Sequence, residues 1–150
     1  NKKIMVLPQQ PYFPFGTLAN AITYPDPSNK YSRSEIEQAL RDVDLEKLIP
    51  RLDDIGFWNQ ILSGGEQQRV NLVRAMLHKP DYMFFDEATA SVDEPSEELL
   101  YTMLLVKMKD STIVSIGHRS SLEKFHQRKI MAEKQDGHFE FIEQTVTKKD

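Results

Sequence analysis

The sequence has no cysteine among its 150 residues. That excludes a disulfide framework and any thiolate metal site, and it permits a reducing compartment without proving one. No apolar run approaches the eighteen or so residues that a membrane-crossing helix needs, and nothing with the pattern of a signal peptide opens the chain. An excess of positive charge is also missing. The net charge is −4, so the main partner is not expected to be a nucleic acid. There is no internal repeat and no low-complexity segment. The length suits one domain with a core of reasonable size. The chain starts at Asn1 without a methionine and passes almost at once into an apolar stretch, which reads as a piece cut from a longer chain.

What is there is concentrated between Leu62 and Asp93. Ser63-Gly64-Gly65-Glu66 has the spacing of a capping box, with Ser63 as N-cap. Gln67 to His78 then runs without Gly or Pro, carrying Val70, Leu72, Val73, Ala75, Met76 and Leu77, until Pro80 stops the helix. Two glycines bare the first-turn amides. Unpaired N–H groups and the positive end of the helix dipole make such a start an anion site, and missing Cβ atoms let a phosphate come close. An ordinary capped helix has the same start. The next stretch shifts the balance: Tyr82-Met83-Phe84-Phe85 is an apolar run of strand length that ends in Asp86-Glu87. Ligands bind outside the carboxyl ends of buried parallel strands. There, Asp86 can hold a magnesium ion and Glu87 can polarise a water.

The flanking segments read as alternating elements. Lys3 to Leu7 is strand-like, and Pro8, Pro11 and Pro14 force an extended loop after it. Tyr24-Pro25-Asp26-Pro27 is a turn. From Tyr31 to His78 the pattern is helical, with Ser34 and Glu37 as a second capping box and Ile36, Ala39, Leu40 and Val43 on one face. Leu45, Leu48 and Ile49 form a shorter piece ended by Pro50. Pro95 suits the first position of another helix, with Glu97 and Glu98 near its start and Lys107 and Lys109 near its end. Leu99, Leu100, Met103 and Leu104 are its expected buried stripe. Thr112 to Ile116 is a β-branched strand followed by Gly117-His118. Arg128 to Glu133 and His138 to Ile142, joined at Asp136-Gly137, predict a hairpin, and Thr145 to Asp150 a frayed tail.

These residues carry a resemblance. Leu62-Ser63-Gly64-Gly65-Glu66-Gln67-Gln68-Arg69 resembles the signature motif of the ABC ATPases, with Glu66 in place of the more usual glutamine. Tyr82 to Glu87 resembles their Walker B strand and catalytic glutamate, Ala90-Ser91-Val92-Asp93 their D-loop, and His118 their switch histidine. Gln9 matches the Q-loop glutamine, with Gln10 the alternative register. Trp58, four residues before Leu62, taken with Leu7-Pro8-Gln9 and Pro11-Tyr12, resembles one branch: the subfamily-D (peroxisomal fatty-acyl) exporters and the bacterial peptide and vitamin B12 transporters.

The resemblance implies an α/β, P-loop NTPase fold with a parallel sheet core and an inserted helical subdomain, missing the Walker A part. It divides residues 1–150 into a Q-loop strand and loop (1–29), a helical subdomain with the signature (30–78), and a part with Walker B, D-loop, switch histidine and hairpin (79–150). It implies ATP and Mg2+ as cofactors and hydrolysis in the full-length protein. Glu87 would orient water, Asp86 and Gln9 would serve the metal, and His118 would touch the γ-phosphate. Ser63, Gly64, Gly65, Glu66 and Asp93 would face nucleotide bound by a second such domain, packed head to tail. Tyr12, Phe13 and Phe15 resemble the aromatic patch beside the groove that receives a transmembrane coupling helix, although such a cluster can equally be a core flap. The expected location is the cytoplasmic face of a membrane, a bacterial inner membrane.

One family part is absent. The run Gly-x-x-x-x-Gly-Lys-[Ser/Thr], which cradles the phosphates, does not occur, so this chain alone is expected to hydrolyse nothing. In the family that cradle lies upstream of the Q-loop. Two other readings compete. The C-terminal lobe of a split-head chromosome or DNA-repair ATPase also lacks the cradle, but there the Q-loop sits in the other lobe. A degenerate dimerisation module is opposed by intact Glu87 and His118.

Overall fold

The computed structural model describes residues 1–135 and 137–146. The chain forms two compact units, Asn1–Gly117 and His118–Asp150.

In the first unit, β1 (Ile4–Leu7) ends where Pro8 withdraws a backbone donor. After the proline-rich loop, β2 (Gly16–Thr17) leads into α1 (Leu18–Thr23), and Thr17 caps that helix by accepting from the Asn20 amide at 3.2 Å. Helix α2 (Arg33–Asp42) starts two residues earlier than Ser34 would place it. Ser32 and Glu35 form the reciprocal box, while Glu37 is engaged by Arg33 and Arg41 and is not left to cap. The 3₁₀ segment Glu46–Arg51 contains Pro50 and does not stop before it. Nor is the stretch from Tyr31 to His78 helical throughout: β3 (Ile55–Gly56) pairs antiparallel with β2. The short α3 (Trp58–Ile61) follows, with Trp58 fully buried and its indole Nε1 donating to the Gly16 carbonyl at 2.9 Å. Helix α4 (Gly64–His78) packs against α1 and α2.

Strand β4 (Tyr82–Asp86), helix α5 (Glu94–Lys107) and strand β5 (Thr112–Ile116) complete the unit. The sheet order is β1-β4-β5 and all pairings are parallel, as the resemblance implies. Leu7, Met83 and Phe85 are buried on one face, and Phe85 packs against Tyr101 of α5 with ring centroids 5.7 Å apart. The apolar residues of the other face, Ile4, Val6, Phe84 and Ile116, are exposed. The strands read as buried because they are apolar on both faces, but the described residues cover only one of them. Helix α5 also differs from expectation. Asp93 is its N-cap, so Pro95 is the second helical residue, and Leu99 is 72% exposed. The stripe facing the core is Glu97, Leu100, Tyr101, Leu104 and Met108, which is the same helical spacing rotated by one residue.

In the second unit a 3₁₀ turn (Ser120–Phe125) precedes β6 (Arg128–Gln135) and β7 (His138–Thr145), an antiparallel hairpin. Gln135 pairs with His138, so the connection has two residues, and Gly137 takes φ +88°, as a tight hairpin turn requires. Asp136 and the tail residues 147–150 lie outside the described residues. Thr145, expected in the tail, pairs with Arg128 in the ladder.

Candidate functional site

The start of α4 forms the box its spacing predicts. Ser63 Oγ accepts from the Glu66 amide at 3.3 Å, and the Glu66 carboxylate accepts from the Ser63 amide at 2.7 Å. Lys47 pairs with the same carboxylate at 2.6 Å. Burial opposes ionisation of Glu66, but the bonds from Lys47 and Ser63 outweigh it and hold the carboxyl below its ordinary value. The glycines of this turn have a use within the chain itself. A Cβ on Gly65 would lie 3.3 Å from the Ser91 carbonyl, and one on Gly64 would lie 3.4 Å from the Ser91 hydroxyl. The segment 87–93 is thus seated directly on the start of α4.

That segment is held at many points. Glu87, at the end of β4, adopts φ +49°, a left-handed conformation that is uncommon for a side-chain-bearing residue and is found where the surroundings over-determine it. Its amide donates to Ile116 at 2.9 Å and its carbonyl accepts from Ala90 at 3.0 Å. Thr89 donates to the buried Glu97 carboxylate at 2.6 Å. Asp93 accepts from the Ser96 amide at 3.0 Å, and that bond keeps its carboxyl below the ordinary value.

Three buried polar residues of α4, Gln68, Asn71 and Arg74, recur at helical spacing and reach the neighbouring loops. Gln68 Nε2 donates to the Gln9 carbonyl at 3.1 Å, and its Oε1 accepts from the Ser91 amide at 2.8 Å. Asn71 donates to the Pro8 carbonyl at 3.3 Å. Arg74 donates to the carbonyls of Tyr12 (2.8 Å) and Ala21 (2.6 Å), and its guanidinium lies 4.7 Å from the centre of the Phe13 ring. Burial lowers its pKa to about 10. Sequence alone does not mark this stripe out, because Glu66, Gln67, Arg69 and His78 are polar as well, and only the steps of three from Gln68 through Asn71 to Arg74 put these three on one face. Phe13 is 6% exposed and belongs to the core, whereas Tyr12 and Phe15 are each 63% exposed. The aromatic cluster is therefore part core and part surface.

Ser63, Gly65, Glu66, Ser91, Asp93, Lys47 and Arg69 line one cavity of about 340 Å³. The start of α4 and the segment 90–93 are thus brought together. Asp86 is exposed at the carboxyl end of β4, beside Ile116 in register, and Gln9 is exposed two residues beyond the end of neighbouring β1. Among the described residues no group of three or more His, Cys, Asp or Glu is arranged to hold a metal. His118 is the first residue of the second unit.

The ABC transporter family model matches residues 1–90. The chain belongs to the ABC transporter family. It is 44% identical over 126 residues to an ABC transporter ATP-binding protein of Haemophilus influenzae, covering 84% of this chain and 21% of that protein. Subfamily D is also represented: ATP-binding cassette sub-family D member 1 of Drosophila melanogaster is 35% identical over 127 residues, covering 80% of this chain and 17% of that one. The structure of a bacterial Atm1-family ABC exporter with ATP bound superposes with a TM-score of 0.76 at 25% identity, covering 91% of this chain and 24% of the exporter. This ABC chain spans about a fifth of the length of the curated relatives it matches. Its parallel sheet of β1, β4 and β5 is that of the ABC ATPase fold.

Proposed function

We propose that this chain is the C-terminal part of a transporter's ATP-binding domain, in which ATP binding and hydrolysis drive transport across a membrane. The observation that carries this reading is the seating of segment 87–93 on the start of α4, which places Ser63, Gly65, Glu66 and Asp93 around one cavity while Asp86 and Glu87 end the central strand of a parallel sheet. Residues 1–29, 30–78 and 79–150 then act as Q-loop, helical and Walker B parts of one cassette. The resemblance and the relatives' names support the remaining assignments. The partner is a second cassette packed head to tail, with Ser63, Gly64, Gly65, Glu66 and Asp93 facing the nucleotide that the partner holds. Exposed Tyr12 and Phe15 meet a coupling helix of a transmembrane domain. The site lies on the cytoplasmic face of a membrane, a bacterial inner membrane. No described helix is long and apolar enough to cross it.

Asp86 fits a magnesium ion as an exposed carboxylate at a strand's carboxyl end, with the Gln9 amide as a neutral oxygen donor on the adjoining loop. One carboxylate and one amide make a sparse donor set, which suits a metal held mainly by water and phosphate oxygens. Bound with ATP, magnesium would neutralise phosphate charge. Glu87 would accept a hydrogen bond from a water and orient it, Gln9 would serve the same water, and the resemblance gives His118 the γ-phosphate. This is chemistry of positioning and electrostatics, so it depends on a phosphate cradle that these 150 residues do not contain.

Ser63→Arg in the full-length protein tests the reading. Ser63 is exposed beside two glycines, and a long cationic chain would fill the space in front of them. Turnover is expected to vanish while nucleotide affinity at the single site stays nearly unchanged. Equal large losses of both would overturn the head-to-tail assignment.

A further inference from the structure

Buried Gln68 uses both ends of its amide on two different loops. It is 1% exposed, donates to the Gln9 carbonyl at 3.1 Å and accepts from the Ser91 amide at 2.8 Å. Donor and acceptor are both spent on backbone, so the side chain is fixed in one orientation and neither loop can move without breaking a bond to it. The surroundings leave little slack. A Cβ on Gly65 would press on the Ser91 carbonyl and one on Gly64 would touch the Ser91 side chain, and Asn71, one turn along the helix, donates to the Pro8 carbonyl at 3.3 Å. The loop after β1 and the segment 87–93 are therefore attached to the same face of α4, through one amide.

We propose that Gln68 is a positioning residue that ties the loop after β1 to the segment 87–93, so that a displacement of one loop is passed to the other. If the reading of function holds, on which this inference builds, the tie would link the loop facing the transmembrane partner to the segment facing the second cassette. The bonds exist whether or not the reading holds, and the test needs no nucleotide.

Amide hydrogen exchange of this 150-residue chain reads the tie directly, with the Val73 amide in the middle of α4 as the reference for overall opening. Gln68→Glu keeps the acceptor for Ser91 but replaces the donor to Gln9 with a carboxylate oxygen. Ser91 should stay protected in it. Gln68→Met removes both bonds, and Ser91 should then exchange roughly three- to tenfold faster, the scale of one lost hydrogen bond. Asn71→Leu is the decisive variant, since Asn71 donates to the Pro8 carbonyl and makes no hydrogen bond to Ser91. Faster exchange at Ser91 relative to Val73 in Asn71→Leu is the expected result. Unchanged exchange there, or Ser91 protection unaffected by Gln68→Met, overturns the proposal. Should Asn71→Leu fail to fold, Asn71→Ser serves, with the same two outcomes. Loss of turnover in the full-length Gln68→Met with normal Ser91 exchange would also count against the tie while leaving the ATPase reading intact.

Discussion

Thr89 donates a 2.6 Å hydrogen bond to the carboxylate of Glu97, and both side chains are almost wholly buried. The pair joins the segment that follows β4 to the first turns of α5. A buried carboxylate is costly unless its oxygens are satisfied. Thr89→Val keeps the shape and deletes the donor, so it should destabilise the chain by about 1–3 kcal/mol. Thr89→Ser should recover most of that. Urea unfolding followed by Trp58 fluorescence measures both, and an unaffected Thr89→Val would show that the bond contributes nothing net.

Arg74 should be among the least replaceable residues of α4. Its guanidinium serves two carbonyls, on Tyr12 and Ala21, and lies against Phe13 and Tyr24. Arg74→Met fills the volume but leaves both carbonyls without their donor, at a cost of about 2–4 kcal/mol. Arg74→Lys is expected to rescue little, because both bonds come from Nη2, one atom farther along the side chain than a lysine ammonium reaches, and the flat contacts with Phe13 and Tyr24 go with the guanidinium. Midpoints of urea unfolding rank the three proteins, and a lysine variant as stable as the parent would contradict this account.

How much of this was legible in the sequence depends on how local the signal is. The Ser63–Glu66 box, the strands ending at Leu7, Asp86 and Ile116, and the hairpin around Gly137 were readable, since each rests on neighbours in sequence. The Ser34–Glu37 box failed because Ser32–Glu35 has the same spacing, and only the engagement of Glu37 by two arginines separates them. The ribbon of Gly16–Thr17 with Ile55–Gly56 was invisible: two residues a side carry no periodicity, and their pairing is set by distant contacts such as Trp58 to Gly16. Leu99 was misplaced because adjacent leucines at 99 and 100 fit either of two stripes, and the choice between them lies with the sheet. At the site, spacing pointed to the motifs, but not to the Gln68 amide that joins two of them or to the left-handed backbone of Glu87.

The uncovered sheet face makes a physical prediction about the isolated chain. Val6, Phe84 and Val114 are neighbours in register across the three strands, and all are exposed. Contiguous apolar patches of this kind bind hydrophobic dyes and promote association. Phe84→Ser should lower dye fluorescence and self-association, at a cost in stability of about 1–2 kcal/mol because the residue is only 37% exposed and sits in the central strand. Sedimentation velocity and dye titration give the answer, and unchanged association would direct attention away from this face.

Acid should weaken the start of α4 through Glu66. Its carboxyl is held below the ordinary value in the folded state, so the stabilisation it provides is complete above the unfolded carboxyl value of about 4.3. It is lost as the pH falls through the lower folded value. Glu66→Gln has no such titration. The gap in thermal midpoint between parent and Glu66→Gln should therefore be widest near neutrality and close below about pH 4. A gap that stays constant down to strongly acidic pH would show that the carboxylate's charge is not what stabilises the cap.

In the full-length protein, Glu87→Gln should retain magnesium-ATP binding through Asp86 while turnover falls by roughly 10²-fold or more, the scale of a lost general base. The left-handed backbone at residue 87 is held by bonds from its own amide and carbonyl, and the substitution leaves these in place, so the variant should fold like the parent. Near-normal turnover would remove Glu87 from the reaction.

The 150-residue chain itself should bind ATP weakly or not at all. Under the proposed function, the groups it would bring to nucleotide are the start of α4 and the acids ending β4, and the first of these would face a phosphate only when another cassette presents one. No glycine-rich run with a lysine behind it exists here to hold the α- and β-phosphates. Beside the exposed Ser63–Gly64 turn, Lys47 is paired with Glu66 at 2.6 Å and so brings no uncompensated positive charge to a free triphosphate, and the nearby Asp93 carboxyl is held in its charged form. Calorimetric titration of the chain with magnesium-ATP should give no heat beyond dilution at micromolar concentrations. Stoichiometric micromolar binding would mean that these residues build a phosphate site of their own, and would overturn the assignment of the signature helix to a partner's nucleotide.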